Sequence, residues 1–329
     1  MNSTTQQQIK THLEKVQKIK EEIQKVIVGQ DDIIRHVLIA LFAGGHVLLE
    51  GVPGLGKTML IRTLGEVLDL HFSRIQFTPD MMPADIMGTE ILTEIDNQRV
   101  FHFQPGPIFA NLVLADEINR APPKTQSAML EAMQEQTVTI AKHTYPLESP
   151  FFVMATQNPL EMDGTYPLPE AQLDRFFFKI VIDYPSETSL SEIFKRTTGE
   201  MVHAAAQVAH ADEVIEISDI ARQVVVASHV NEYVARLITH SHPKNEQAPP
   251  LVKKYIRYGA SPRGGQSIIL GAKVNALLEG RFNVAFEDVR TVTHAALRHR
   301  MLLNFEGLAE EIDSNLIISE ILDSIPLDI

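Results

Sequence analysis

The sequence predicts an α/β protein: a parallel sheet between helices, followed by an all-helical C-terminal part. Three observations carry that expectation. Up to residue 184, short apolar runs alternate with amphipathic segments of helical period, the rhythm of strands joined by helical crossovers. One glycine-rich loop stands between an apolar run and a helix. After Tyr184-Pro185 the apolar runs give way to helical periodicity. The chain therefore divides, on this reading, into residues 1–184 and residues 185–329.

Taken in order, Ile9, Leu13, Val16, Ile19, Ile23, Val26 and Ile27 recur at helical spacing among Lys, Glu and Gln, which predicts an amphipathic helix over 9–27. Val28-Gly29-Gln30 breaks it. A second helix is expected over 31–43, stopped by Gly44-Gly45. Residues 46–50 predict a buried strand, 56–68 a helix and 72–77 a strand. Residues 112–115, 151–156 and 176–182 are further strand candidates, and 122–135 is a helix with proline near its start. Two segments interrupt the rhythm. Residues 90–95 and 99–103 flank Asp96-Asn97-Gln98, and 137–140 and 143–146 flank a short turn. Both read as β-hairpins inserted into the core, serving either as edge decoration or as loops reaching towards a partner. Beyond 186 the clearest helices are 187–197, 218–231, 262–278 and 286–302, with a polar, proline-bearing loop over 239–250.

Composition excludes several function classes. With 329 residues, 44% of them hydrophobic, the chain can bury a sizeable core. Its 29 basic and 42 acidic residues leave a net charge of -13. That balance disfavours non-specific nucleic-acid binding, which depends on neutralising phosphates. There are no cysteines, so disulfides, thiol catalysis and cysteine-ligated metals are out. The 13 histidines are scattered. His240 with His242, and His294 with His299, come with no convincing ligand set and read as solvated or core residues. No apolar stretch is long enough to span a bilayer. Residues 1–8 are polar, without the apolar region of a signal peptide. A cytoplasmic protein is the expectation.

The loop Gly51-Val52-Pro53-Gly54-Leu55-Gly56-Lys57-Thr58 matches the phosphate-binding pattern G-x-x-x-x-G-K-[ST] in full, with a strand before it and a helix after it. Glycines let successive backbone N–H groups turn inwards onto phosphate oxygens, and the helix N-terminus adds its positive end. Lys57 can reach the outer phosphates, and the Thr58 hydroxyl can ligate Mg²⁺. The expected nucleotide contacts are Gly51, Pro53, Gly54, Leu55, Gly56, Lys57, Thr58 and Met59, with ATP as the ligand. A second apolar strand ends in two carboxylates, Asp116 and Glu117. Asp116 reads as the second metal-binding residue. Glu117 reads as the general base that polarises the water attacking the γ-phosphate. Asn158 follows a third apolar strand, where an amide can orient that water. Arg175, just before a fourth, can stabilise charge on the γ-phosphate in the transition state.

Together these residues resemble the AAA+ ATPases, and within them most closely the MoxR family. The resemblance spans nearly the whole chain. It is carried by Val28-Gly29-Gln30, the phosphate loop, 84–88, 106–110, 114–126 (Leu-Ala-Asp-Glu-Ile-Asn-Arg-Ala-Pro-Pro-Lys-Thr-Gln), 155–159, 170–176 (Glu-Ala-Gln-Leu-Asp-Arg-Phe), Ala260-Ser261-Pro262-Arg263 and Leu297-Arg298-His299-Arg300. It implies an AAA+ core with a smaller α-helical lid. It implies Asp116 and Glu117 as the Walker B pair, Asn158 as sensor 1, Arg175 as an arginine finger acting across a subunit boundary, and Arg263 as sensor 2, in cis or in trans. Gly29 and Gln30 match the segment near the adenine. The hairpins match inserts shared with magnesium chelatase motors and minichromosome maintenance helicases. A finger supplied by a neighbour implies a ring, a hexamer by family expectation.

The resemblance implies an ATP-driven, chaperone-like motor for assembly, maturation or metal loading of protein complexes, often partnered by a von Willebrand factor A domain protein. The alternatives are a magnesium-chelatase-like subunit and a nucleic-acid-stimulated motor. Against the last, Asp96-Asn97-Gln98 is not basic and Ala141-Lys142-His143 offers one firm charge, whereas gripping phosphates takes cations.

Overall fold

The computed structural model describes residues 3–95, 98–159, 164–199 and 204–327. Two helices, α1 (Ser3–Val26) and α2 (Asp31–Phe42), precede β1 (Val47–Glu50), α3 (Lys57–Leu68) and β2 (Phe72–Gln76). The short α4 (Pro83–Met87) leads into a hairpin of β3 (Gly88–Ile95) and β4 (Gln98–Pro105). Then come β5 (Leu112–Asp116), a short 3-10 turn (Ile118–Arg120) and α5 (Pro123–Glu135). A second hairpin, β6 (Thr137–Ile140) and β7 (His143–Pro146), is followed by β8 (Phe152–Gln157), α6 (Glu170–Leu173) and β9 (Phe178–Val181). Both hairpins are those the sequence predicts; Asp96 and Asn97 lie outside the described residues.

Strands β2-β5-β8-β1-β9 form one sheet, parallel at every pair. A parallel sheet must be covered on both faces, and successive residues alternate between the faces. Val47, Leu49, Leu112, Leu114, Phe152 and Met154 join the apolar cluster built with α1, α2, α3 and the C-terminal helices. Leu48, Val113, Ala115, Val153 and Ala155 join the opposite cluster, with Met129 and Leu130 of α5. Strands β1, β5 and β8 are buried along their length except at the last residue of each: Glu50, Asp116 and Gln157. The sheet therefore opens at its C-terminal edge, where ligands of such sheets bind.

His46 is a core residue. Its Nε2 donates to the Met133 carbonyl at 2.9 Å, and its Nδ1 accepts from the Val153 N–H at 3.1 Å. Burial pushes its pKa down to about 4, so the ring is neutral at pH 7. His240 and His299 are buried too. Among the described residues no cluster of three or more His, Asp or Glu could hold a metal ion.

The remainder comprises α7 (Glu187–Thr198), α8 (Ala211–Arg222), α9 (Ser228–His240), α10 (Pro250–Tyr255), β10 (Ile256–Tyr258), α11 (Pro262–Leu278), α12 (Phe286–Leu297), β11 (Leu302–Leu303), α13 (Phe305–Ala309) and α14 (Ser314–Ser324). Two expectations fail here. Residues 218–231 are not one helix: α8 stops at Arg222 and α9 starts at Ser228. The Val225 N–H donates to the Phe282 carbonyl at 3.2 Å, and the Val284 N–H donates to the Val225 carbonyl at 3.0 Å. Pairing with a distant segment takes the β-branched run 224–226 out of the helix. Likewise α12 ends at Leu297 rather than at 302, because residues 302–303 pair antiparallel with β10. No helix among the described residues is long and apolar enough to cross a membrane.

Candidate nucleotide site

The loop between β1 and α3 is shaped by backbone conformation. Gly54 and Gly56 have φ of 86° and 79°, in the left-handed region that glycine enters without penalty. A Cβ at either would meet nothing within 4 Å, so conformation, not space, calls for glycine there. Gly56 caps α3, so the free N–H groups of the helix's first turn lie at the loop. A cavity of about 260 Å³ opens there, lined by Pro53, Gly54, Gly56, Lys57, Thr58, Met59, Arg74, Gln76, Asp116, Glu117 and Asn158. Lys57 Nζ donates to the Gly51 carbonyl. Burial pushes its pKa down, and the carboxylates of Asp116, Glu117 and Glu50 push it back up.

Asp116 ends β5, and Glu117 follows it in the left-handed region at φ 57°, ψ 52°. For a non-glycine residue that conformation costs about 1–3 kcal/mol and persists only where the surroundings enforce it. The enforcing residue is Thr156 on the neighbouring strand β8. Its Oγ1 accepts from the Glu117 N–H at 2.8 Å and donates to Asp116 Oδ1 at 2.7 Å. One buried hydroxyl thus holds both carboxylate residues. Arg74 donates to Asp116 Oδ2 from Nη2 at 2.6 Å and Nε at 3.2 Å. Gln76 Nε2 and Arg120 Nη1 each donate to Glu117 Oε2 at 3.0 Å. The acid pair is therefore held by two cations and an amide.

Sequence reasoning missed Arg74, Gln76, Arg120 and Thr156. The sequence offered one signal, that Thr156 ends the apolar run which Asn158 follows; Gln76 is placed by register, directly beside Asp116 in the sheet. Replacing Thr156 with Val leaves the Glu117 N–H and an Asp116 oxygen without this partner, a cost of about 1–3 kcal/mol. As Glu117 relaxes, turnover should fall by about tenfold or more, read from steady-state kinetics beside a thermal melt. Unchanged turnover would detach Thr156 from the placing of Glu117.

A second cavity, of about 400 Å³, meets the first at Pro53, Gly54, Gly56 and Met59. Ile27, Val28, Leu55, Leu190, Ile193 and Phe194 also line it. Helix α7 has no buried residue, and Phe194 is 59% exposed. Its apolar face is turned onto this cavity, which suits a flat aromatic base beside the phosphate loop. Gln30, also on the lining, donates from Nε2 to the Leu55 carbonyl at 3.0 Å. Gly29, at φ 70°, abuts α7: a Cβ would lie 2.3 Å from Ser189 Oγ. The contribution of α7 escaped sequence reasoning, since its apolar face reads as ordinary core.

The structure gathers Lys57, Thr58, Asp116, Glu117 and Asn158 around one cavity and leaves Arg175 and Arg263 out of it. Arg175 Nη1 donates to the Leu130 carbonyl at 3.2 Å, in a separate cleft with Ser127, Gln134 and Gln172. Arg263, half exposed at the start of α11, lies 3.6 Å from Asp174 Oδ2. Arg263 is thus tethered to Asp174, the residue just before Arg175. A divalent cation would find the Thr58 hydroxyl and the Asp116 carboxylate in the phosphate cavity. Two hard oxygen donors suit Mg²⁺, which takes its remaining ligands from phosphates and water.

Comparison with known proteins agrees with this geometry. Residues 46–178 match the ATPase family associated with various cellular activities (AAA), and residues 250–321 match the AAA lid domain. Chaperone MoxR1 of Mycobacterium tuberculosis is 44% identical over 306 residues, covering 93% of this chain and 80% of that protein. Protein MoxR of Methylorubrum extorquens is 32% identical over 302 residues, covering 87% of each. A crystal structure from Cytophaga hutchinsonii superposes with a TM-score of 0.91 at 39% identity, over 98% of both chains.

Proposed function

The chain belongs to the MoxR family of AAA+ ATPases, and from that premise we propose that it is a Mg²⁺-dependent motor whose ATP site is completed by a neighbouring copy and whose work is the chaperone-like remodelling of other proteins. One observation carries the shared site. Lys57, Asp116 and Glu117 line one cavity, whereas Arg175 and Arg263 stand outside it. A chain that presents two arginines away from its own phosphates is built to offer them to another. Arg263 acts across the boundary on this reading, together with Arg175, because it pairs with Asp174, the residue just before Arg175.

Within the site, backbone N–H groups of the loop and Lys57 hold the phosphates. Bound Mg²⁺, on Thr58 and Asp116, would supply charge neutralisation at the outer phosphates. Glu117 takes the proton of the attacking water, and Asn158 orients that water. For Glu117 to act, its carboxylate must leave Gln76 and Arg120, and Asp116 must exchange Arg74 for the metal. Gly29 and Gln30 border the adenine side. A ring follows from the shared site, and six subunits is the family expectation. The division into a core over 1–184 and a lid over 185–329 goes with this reading, as does a cytoplasmic setting.

A protein client fits better than nucleic acid. On the first hairpin, Leu92, Val100 and Phe101 are exposed, and Leu92 stands opposite Phe101. Phe103 stacks on Tyr145 at 4.1 Å, joining the two hairpins. Apolar side chains on a projecting hairpin suit polypeptide, and phosphate binding needs cations instead. The similar Chaperone MoxR1 is named for that kind of work. Assembly or metal loading of a complex, with a von Willebrand factor A domain protein as partner, is the specific form proposed. ATP turnover should require Mg²⁺ and stay unchanged on adding single- or double-stranded DNA. Strong stimulation by DNA would overturn the client assignment.

A further inference from the structure

Arg300 is the most enclosed cation near the finger, its side chain 2% exposed. All five donors of its guanidinium are engaged. Nε donates to Asp174 Oδ1 at 2.9 Å; Nη1 to the carbonyls of Phe177 at 3.1 Å and Ala296 at 2.5 Å; Nη2 to the carbonyls of Asp174 at 3.1 Å and Phe176 at 2.7 Å. His299 Nε2 adds a bond to the Phe176 carbonyl at 3.0 Å, and the Ser261 hydroxyl donates to Asp174 Oδ1 at 2.8 Å. The lid thus holds the residues on both sides of Arg175. The sheet reaches this segment only at its far end, where the Phe177 N–H donates to the His46 carbonyl at 2.7 Å, and β9 begins at Phe178.

A buried cation is a costly way to satisfy three turn carbonyls if stability is the only return. Its position suggests another use. Arg300 lies two residues beyond Arg298, which lines the cavity flanking Gly29 and Gln30 together with Ala295 of α12. One turn of the lid therefore borders the nucleotide side with Arg298 and grips the finger segment with Arg300. We propose that Arg300 is a positioning residue for Arg175: it ties residues 174–177 to the lid, so that the finger offered to the next subunit follows the lid's position over this chain's own nucleotide. The inference rests on the cross-boundary role of Arg175 proposed above.

The test uses assembled full-length protein. Arg300→Lys keeps the charge but loses the fork. It should lower turnover by about 10²-fold, the cost of a reacting group displaced by an ångström. Binding of a fluorescent ATP analogue to the same chain should stay unchanged, as should assembly. Asp174→Ala, at a more exposed position, should lower turnover in the same way and carries the test if Arg300→Lys does not fold. Arg300→Lys chains are then mixed with Glu117→Gln chains, which supply a well-held finger, and turnover should rise above both parents. The control mixture is Arg175→Ala with Glu117→Gln. If the control recovers and the Arg300→Lys mixture does not, Arg300 serves its own site: this proposal fails and the shared site stands. If the control does not recover, the shared site fails and this proposal with it. Full turnover by Arg300→Lys alone, or weakened analogue binding, also overturns it.

Discussion

Arg175→Ala is expected to lower ATP turnover by about 10³–10⁵-fold, the range an arginine finger supplies, while the same chain still binds nucleotide. The expectation combines two positions. Arg175 is absent from the lining of the phosphate cavity and of the apolar cavity beside it, so its removal leaves Lys57, Thr58 and both cavities untouched. Its guanidinium nevertheless lies beside α5 in an open cleft, bonded among the described residues to the Leu130 carbonyl, where little has to be given up for it to meet a neighbour's phosphates. Turnover measured beside the dissociation constant of a fluorescent ATP analogue separates the two effects. A variant that loses nucleotide affinity in proportion to turnover would put Arg175 in its own chain's site. A variant with unchanged turnover would remove it from catalysis.

Glu117→Gln should lower turnover by about 10²–10⁴-fold, the contribution of a positioned general base, with ATP binding retained. The side chains match in size, and the backbone at 117 is held by Thr156 through its N–H, which the substitution leaves in place. What goes is the carboxylate that takes the proton. Single-turnover hydrolysis against analogue binding checks this. Retained hydrolysis would move the base elsewhere, and lost binding would mean that Glu117 shapes the loop rather than serving the water.

Much of the site was legible before the structure because its parts are local. A strand, a glycine-rich loop, a lysine and a helix N-terminus are consecutive in the chain, so spacing suffices to read them. The acid pair at the end of 112–116 was legible for a related reason. A continuous apolar run marks a strand buried on both faces, and the first polar residue after it must emerge at an edge. The same logic brought Asn158 to that edge. It also reached the hairpins, whose alternation and turns are short-range features.

It failed wherever the deciding partner is far away in sequence. Residues 218–231 carry a helical pattern, yet a pairing with 282–284 breaks them. Helix α7 looks like any amphipathic helix; only its placement makes its apolar face a wall of the cavity shared with Val28 and Leu55. Thr156 looks like a strand residue, and only parallel register sets its hydroxyl between Asp116 and Glu117.

The sequence by itself thus determined the class of protein, the phosphate loop and the acid pair, because their hydrogen-bonding groups and side chains come from short consecutive segments. Tertiary structure alone decided which cavity each distant residue enters. It closes the acid pair with Arg74, Gln76 and Arg120, and it sends Arg175 to the Leu130 carbonyl and Arg263 to Asp174, outside the phosphate cavity. The reason is physical: a side chain's direction at a sheet edge depends on strand order and on what packs against the next element. Here those are set by contacts such as Arg300 with Asp174, 126 residues apart.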